Sequence, residues 1–278
     1  KRVMRSNYTT TLRNKRVISV TGDDSETFLN NIITNDIKKI NTEKAIYSCL
    51  LSPQGKVISH FFVIKVKNQF LFIIDSFLLN ELIEKLNFYK LRSKIDITED
   101  NRYDIFFTLD DNLKLNSIFE FNDPRNKKLG KYMILNKNTD TGINLESDKF
   151  YTQIIDTNGM IDNIFNQIKG QYFSLELNLK ELKAIDFSKG CYVGQENTSR
   201  MNLKNKISKR IFRINSTKEI EINDDLLFEN EIIGKVISLN PDFAIIKMSK
   251  FESFINKHIK SKSNDQINIY KPSWIELL

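Results

Sequence analysis

The segment richest in chemically active residues is 189–196, Lys-Gly-Cys-Tyr-Val-Gly-Gln-Glu. It places the thiol of Cys191 two residues after the amine of Lys189, with a glycine on either side. Glycine permits positive φ or a close backbone approach, and a cation or a helix beginning at Gly194 would favour the thiolate. A thiolate attacks electrophiles and ligates iron or copper. The residues alone leave a second interpretation open, a glycine-bounded turn around an inert, buried cysteine.

The other cysteine and the two histidines offer little chemistry. Cys49 lies in an apolar run, which predicts a core position. His60 lies in a strand-like apolar context and is predicted to be structural, whereas His258 follows lysines and is predicted to be exposed. The spacings typical of zinc ligands, phosphate loops and a nucleophilic serine elbow are not found. Zinc binding, nucleotide binding by a phosphate loop and Ser-His-Asp hydrolysis are therefore poorly supported.

Composition indicates an ordinary globular protein of 278 residues with a net charge of +7. The cations comprise 32 Lys and only 10 Arg, whereas nucleic-acid surfaces usually recruit Arg for its bidentate fork. We therefore expect no specific DNA contact. The apolar runs are too short to span a bilayer and no secretory leader is found, so no membrane contact and a cytoplasmic location are predicted.

Strand and helix patterns alternate before residue 206 and give way to strands after it. Apolar runs predict strands at 16–20, 47–51, 57–66, 69–75, 96–97, 103–109 and 132–135. A helix that ends at residue 33 is predicted, with Asp24 or Ser25 as its N-cap, and helical spacing predicts another helix over 78–91. Residues 110–128 and 136–149 are polar and predict loops. Later strands are predicted at 209–214, 219–222, 232–239, 243–248 and 267–270, which is typical of a small β-barrel or sandwich.

Six further segments are similar to sequence motifs that occur in the same order in a known protein family. They are FLNNIITND (28–36), LLSPQGKV (50–57), YKLRSK (89–94), DPR with LG (123–130), FSLELNL (173–179) and GKVIS (234–238). Together with 189–196 they resemble the YgfZ family, GcvT-like folate-binding proteins linked to iron–sulfur cluster assembly and repair and to tRNA modification.

The resemblance implies an α+β fold in which two ferredoxin-like lobes and a C-terminal β-barrel surround a central channel for tetrahydrofolate. The implied domains are 1–205, with two interleaved lobes, and 206–278, the barrel. It also implies that Cys191 lines the channel as a reactive thiol or cluster ligand, and that Glu176 holds the pterin ring, since a carboxylate can accept two N–H bonds from its edge. Lys189 and Arg200 are candidate contacts to the anionic folate tail, although surface charge is an equal alternative. Tyr192, Gln195 and Glu196 are further candidate folate contacts.

One departure bears on the reaction class. Where related aminomethyltransferases carry a folate-activating Asp, this chain has Leu82, and Asp75 is out of register. We therefore expect an accessory factor in iron–sulfur cluster assembly or repair, with tetrahydrofolate or a one-carbon derivative as cofactor and iron–sulfur assembly proteins as partners. A transient cluster at Cys191 would need a partner's thiols or another cofactor to complete its ligands. The alternatives are an aminomethyltransferase of the glycine-cleavage type and an RNA- or protein-binding scaffold linked to tRNA modification.

Overall fold

The computed structural model describes residues 7–41, 44–204, 207–261 and 266–275. The strands in these ranges are β1 (Thr9–Thr11), β2 (Lys15–Thr21), β3 (Ile46–Leu51), β4 (Val57–Val66), β5 (Gln69–Asp75), β6 (Asp96–Glu99), β7 (Tyr103–Thr108), β8 (Phe119–Asn122), β9 (Lys131–Asn136), β10 (Lys209–Ser216), β11 (Asp225–Phe228), β12 (Glu231–Ser238), β13 (Phe243–Lys247) and β14 (Ile267–Tyr270). The helices are α1 (Ser25–Ile32), α2 (Leu79–Lys90), α3 (Lys149–Thr157), α4 (Phe165–Ile168), α5 (Gln195–Leu203) and α6 (Phe251–Phe254).

The chain divides into two compact units. The first comprises residues 1–53, 58–151 and 182–195, and the second comprises 54–57, 152–181 and 196–278. Residues 152–181 thus cluster with the C-terminal strands, although the sequence groups them with the lobes. The predicted boundary at residues 205 and 206 lies outside the described residues.

Two antiparallel sheets form the first unit. One has the order β3-β4-β5-β2-β6 and the other β1-β7-β9-β8. The strands predicted at 57–66 and 69–75 form a hairpin that turns at Lys67 and Asn68, because Val66 pairs with Gln69. Helix α2 buries Leu79, Leu82 and Leu86, the i, i+3, i+7 stripe of an amphipathic helix. The strand at the N-terminal end of the described chain, β1, joins the second sheet by pairing with β7.

The second unit contains a five-stranded antiparallel half-barrel with the order β11-β12-β13-β10-β14. Its core includes Phe212, Leu226, Val236 and Phe254, all nearly inaccessible to solvent. Each such side chain contributes roughly 1.5–3 kcal/mol on removal from water. The β-rich character predicted after residue 206 is confirmed.

Three local predictions are wrong. The segment 110–128, predicted as a loop, contains β8, because Phe119 and Phe121 alternate with Glu120 and Asn122 and turn their rings inward. Residues 219–222 form no strand, because a turn at Asn223, with φ of +76°, precedes β11. Asp24 stands at the N-cap of α1 without a side-chain cap. Its carboxylate instead accepts the Lys94 N–H at 2.7 Å.

Within the described ranges, no helix is long and apolar enough to cross a membrane.

Candidate functional site

The segment around Cys191 belongs to the first unit and carries an exposed thiol. Gly194 has φ of +76°, and α5 begins at the next residue, as predicted. Gly190 does not have a positive φ, and a Cβ added there would meet nothing within 4 Å. The interpretation of a buried cysteine is therefore wrong, and only one of the two glycines uses its conformational freedom.

Lys189 fixes this segment to the end of α1. Its ammonium donates three hydrogen bonds to main-chain carbonyls, at 2.6 Å to Asn30, 2.8 Å to Ile33 and 2.9 Å to Asn35. Burial lowers the pKa of Lys189 to about 8, against the opposing charges of Asp36 and Asp186. Because an ammonium has three N–H donors, a contact with a folate tail would require one of these bonds to break.

Thr34 and Asn35 hold the same segment further upstream. The Thr34 hydroxyl donates to the Ala184 carbonyl at 2.6 Å, and the Thr34 carbonyl accepts the Asp186 N–H at 3.0 Å. The Asn35 amide donates to the Lys183 carbonyl at 2.8 Å. The two landmarks 28–36 and 189–196 are therefore one structural unit, a relation that sequence reasoning missed because nothing in their spacing reveals it.

Asp186 is a second functional candidate that the sequence did not single out. Its carboxylate accepts from the Lys39 ammonium at 2.6 Å and from both the N–H and the hydroxyl of Ser188. Burial alone would raise the pKa of Asp186, but these hydrogen bonds and the charge of Lys39 lower it to about 2. The turn that leads into Lys189 is thus held by an ionised carboxylate at neutral pH.

Tyr192 turns inward from this segment while Cys191 stays exposed. Its ring lies 5.1 Å from the Lys189 ammonium, a cation–π contact, and its N–H donates to Gln195 Oε1 at 3.0 Å. Its hydroxyl is buried and has no hydrogen-bond partner among the described residues. Burial raises the pKa of Tyr192, and the nearby buried Cys49 raises it further. Tyr192 and Gln195, predicted as folate contacts, here stabilise the cysteine segment itself.

Glu176 belongs to the second unit and is a buried carboxylate. Its Oε2 accepts the Phe173 N–H at 2.8 Å, and its Oε1 lies 3.5 Å from the Lys209 ammonium. The Lys56 ammonium lies 3.3 Å from the centre of the Phe173 ring, and the Lys209 ammonium lies 5.5 Å from that of Tyr172. Burial lowers the pKa of Lys56, which the charge of Glu176 partly offsets.

Strand β10 holds the segment that carries Glu176. The Glu176 carbonyl accepts the Ile211 N–H at 2.8 Å. The buried Arg210 bonds Asn178 Oδ1 at 2.9 Å and Glu181 Oε1 at 2.8 Å. Lys209 and Arg210, adjacent on one strand, thus contact different carboxylates, and the sequence indicated neither of them.

Glu196 and Arg200 pair with each other on α5, at 2.6 Å between Oε1 and a guanidinium nitrogen. Both side chains are largely exposed, so this i, i+4 pair contributes little to stability. In this arrangement Arg200 already has an anionic partner.

The predictions for the remaining cysteine and histidines are confirmed. Cys49 is fully buried, and burial raises its pKa. His60 is buried, with Nδ1 3.2 Å from the Tyr47 hydroxyl, and His258 is exposed. No group of three or more His, Cys, Asp and Glu side chains in the described ranges is arranged to hold a metal ion.

The sequence is similar to a known protein domain and to several characterised proteins. Residues 10–100 match the family model of the GCVT N-terminal domain. The chain is 24% identical to the "Iron-sulfur cluster assembly factor IBA57 homolog, mitochondrial" of Dictyostelium discoideum, over 92% of this chain and 77% of that protein. It is also 24% identical to the "tRNA-modifying protein YgfZ" of Blochmanniella pennsylvanica, over 76% of this chain and 72% of that protein. The predicted resemblance to the YgfZ family of GcvT-like proteins is confirmed by these matches.

The fold of this chain is similar to that of the glycine cleavage aminomethyltransferase. The solved structure of that enzyme from Bartonella henselae matches with a TM-score of 0.65, over 97% of this chain and 86% of the other, at 9% identity. Identity that low shows the fold alone, because one fold hosts several chemistries. The predicted GcvT-like α+β fold is therefore confirmed.

Proposed function

We propose that this chain acts in iron–sulfur cluster assembly or repair, using tetrahydrofolate and the thiol of Cys191. The observation that carries the proposal is an exposed cysteine on a segment fixed by the three hydrogen bonds of Lys189. A fixed, accessible thiol suits a step in which sulfur or iron is presented to another protein. The names of the two relatives, an iron–sulfur cluster assembly factor and a tRNA-modifying protein, support this class of role.

The cluster is cargo in this proposal, and Cys191 is one of its ligands or the group that handles it. Iron–sulfur clusters are held by several thiolates, and Cys49, the chain's second thiol, is fully buried. The remaining ligands must come from a partner protein. Cys191 would therefore act where two proteins meet, which agrees with its exposure.

The surroundings of Glu176 fit a pterin in their donor chemistry. The carboxylate is buried and lies beside the cations of Lys209 and Lys56. Its two oxygens have lone pairs that can accept further hydrogen bonds. A pterin edge donating to this carboxylate would share it with the Phe173 N–H and the Lys209 ammonium. When bound, tetrahydrofolate supplies one-carbon carrier chemistry. Glu176 would orient it, and the Lys209 ammonium, 3.5 Å from Oε1, would hold the carboxylate in place.

The folate part of the proposal is tested by calorimetric titration of the intact chain with tetrahydrofolate under reducing conditions. We expect one site in the wild type and at least a tenfold loss of affinity in Glu176→Gln, which keeps the shape but removes the charge. Glu219→Gln, an exposed glutamate of the same unit, is the matched control and should bind like wild type. Absence of folate binding by the wild type would contradict this part and favour a scaffold role.

The thiol part is tested in a strain depleted of the endogenous factor, by the activity of a [4Fe–4S] enzyme. We expect Cys191→Ser to fail to restore that activity, whereas Cys49→Ala should restore it. Full restoration by Cys191→Ser would contradict the role given to this thiol. Formation of methylene-tetrahydrofolate from an aminomethyl-lipoyl donor protein would instead favour the aminomethyltransferase alternative, which the Leu82 departure opposes.

A further inference from the structure

The first unit contains a cleft at the two places where the chain passes from one of its sheets to the other. The chain passes from β1 to β2 at residues 12–14 and from β6 to β7 at residues 100–102. Each connection bonds to the strand that follows the other, since the Leu12 N–H donates to the Ile105 carbonyl of β7 and the Asp100 N–H to the Val17 carbonyl of β2. Between them lies a cavity of about 230 Å³, lined by both connections and by Lys137.

Basic side chains outnumber acidic ones in this lining, four to two. Lys15 is ion-paired within the protein, because its buried ammonium lies 2.8 Å from Asp75 Oδ1. Arg16 bonds the main-chain carbonyls of Arg13 and Lys15 and lies 3.8 Å from Glu99. Within the described chain, neither Arg13 nor Lys137 has an ion-pair partner.

The two carboxylates in the cleft differ in whether a cation neutralises their charge. Asp100 is neutralised by Arg102, which donates from Nε at 2.8 Å and from Nη2 at 2.6 Å, and this hydrogen bonding lowers the pKa of Asp100. Among the described residues, Asp104 accepts only the Asn138 N–H, at 3.0 Å. In that part of the chain, the cavity is thus lined by two cations without an ion-pair partner, Arg13 and Lys137, and by one such carboxylate, Asp104.

We propose that this cleft binds a small polyanion carrying phosphoryl groups, with Arg13 and Lys137 as its principal contacts. The Arg13 guanidinium offers a planar fork that matches phosphate oxygens, and Lys137 adds a point charge. The cavity is smaller than the 300–1,000 Å³ typical of drug-sized ligands, which suits a diphosphate group better than a whole nucleotide. Arg13 also borders a second, open depression that contains Glu146 and Asp148, so the phosphoryl groups belong on the Lys137 side. This site is independent of the folate proposal.

The experiment is calorimetric titration of the full chain with inorganic pyrophosphate at constant ionic strength. We expect a single site with a dissociation constant on the order of 0.1 mM. Arg13→Gln combined with Lys137→Gln should weaken it at least tenfold. Lys38→Gln, an exposed lysine of the same unit outside the cleft, should leave it unchanged.

Asp104→Asn supplies a test that misfolding cannot imitate. Removing the one unneutralised carboxylate should tighten pyrophosphate binding several-fold, while Oδ1 of the new side chain still accepts the Asn138 N–H. Absence of binding by the wild type, or equal binding by the Arg13→Gln, Lys137→Gln double variant, would overturn the proposal. Citrate binding as tightly as pyrophosphate would overturn the assignment to phosphoryl groups.

Discussion

Lys189 donates a hydrogen bond of 2.9 Å to the main-chain carbonyl of Asn35, which joins the segment carrying the exposed thiol to a segment more than 150 residues earlier. Two similar bonds, to Asn30 and Ile33, complete the set. The lysine that the sequence suggested as an activator or anion contact is thereby a positioning residue for Cys191.

The two thiols should react very differently in the native protein. Cys191 is exposed, whereas Cys49 is fully buried and its pKa is raised by burial. A thiolate is the reactive form, so we expect a disulfide reagent such as DTNB to modify one thiol per chain rapidly. The second should react only after unfolding, and Cys191→Ser should abolish the fast phase. Two fast thiols in the native wild type would contradict the placement of Cys49.

Replacing Lys189 should destabilise the protein and loosen the thiol segment. Lys189→Met keeps much of the apolar stem but leaves three carbonyls without their donor. We expect a loss of about 1–3 kcal/mol in the free energy of unfolding, measured by urea denaturation. Lys38→Met, which alters an exposed lysine nearby in sequence to Asn35, should change it by less than about 0.5 kcal/mol. Equal effects of the two substitutions would contradict the role of Lys189.

The difference in the free energy of unfolding between wild type and Lys189→Met should depend on pH, and the sign of this dependence can be predicted. The pKa of Lys189 in the folded chain is about 8, below the value of about 10.4 expected when unfolded. Between these values the unfolded chain binds more protons, so the stability of wild type relative to Lys189→Met should rise with pH. Below pH 8 the difference should be flat. The rise is at most about 3 kcal/mol and is reduced by partial exposure. A difference that fell with pH would contradict the lowered pKa.

Thr34→Val tests the contact between the two landmark segments. The Thr34 hydroxyl donates to the Ala184 carbonyl and accepts the Cys49 N–H at 3.0 Å, and valine keeps its shape without either bond. Because both partners are buried, we expect a loss of about 1–3 kcal/mol in the free energy of unfolding. Thr98→Val, an exposed strand position, is the control and should be nearly neutral. A neutral Thr34→Val would show that the hydroxyl is dispensable.

The two glycines around the thiol should differ in tolerance. Gly194 has φ of +76°, so Gly194→Ala should cost about 1 kcal/mol of stability. Gly190 has ordinary φ and open space around its Cα, so Gly190→Ala should leave the melting temperature unchanged. If Gly190→Ala nevertheless blocks maturation of a [4Fe–4S] enzyme, the open space is needed by a partner. Destabilisation by Gly190→Ala equal to that by Gly194→Ala would contradict the backbone geometry.

Local sequence pattern predicted most of the strands and the helices α1 and α2, because burial of one face imposes a period that can be seen in the chain. It failed at β8, where two phenylalanines lie inside a polar stretch, and at residues 219–222, where a turn interrupts an alternating pattern. It predicted Asp24 as a helix cap, but the carboxylate is taken by Lys94, seventy residues away in the chain. Side-chain partners of this kind follow from packing and not from local propensity.

The sequence by itself determined the β-rich C-terminal part and the GcvT-like α+β fold. It also separated Cys49, predicted in the core, from the 189–196 segment, which carries the chemically active residues. The β-rich part and the core position of Cys49 follow from local sequence pattern, whereas the fold was implied by the resemblance of seven segments to the YgfZ family. Only the tertiary structure decided that Cys191 is exposed while Tyr192 is buried, that Lys189 serves the main chain around Asn35, and that Arg13 and Lys137 border one cleft. The reason is that hydrogen bonds and burial between distant segments depend on how sheets pack, and that packing leaves no period in the sequence.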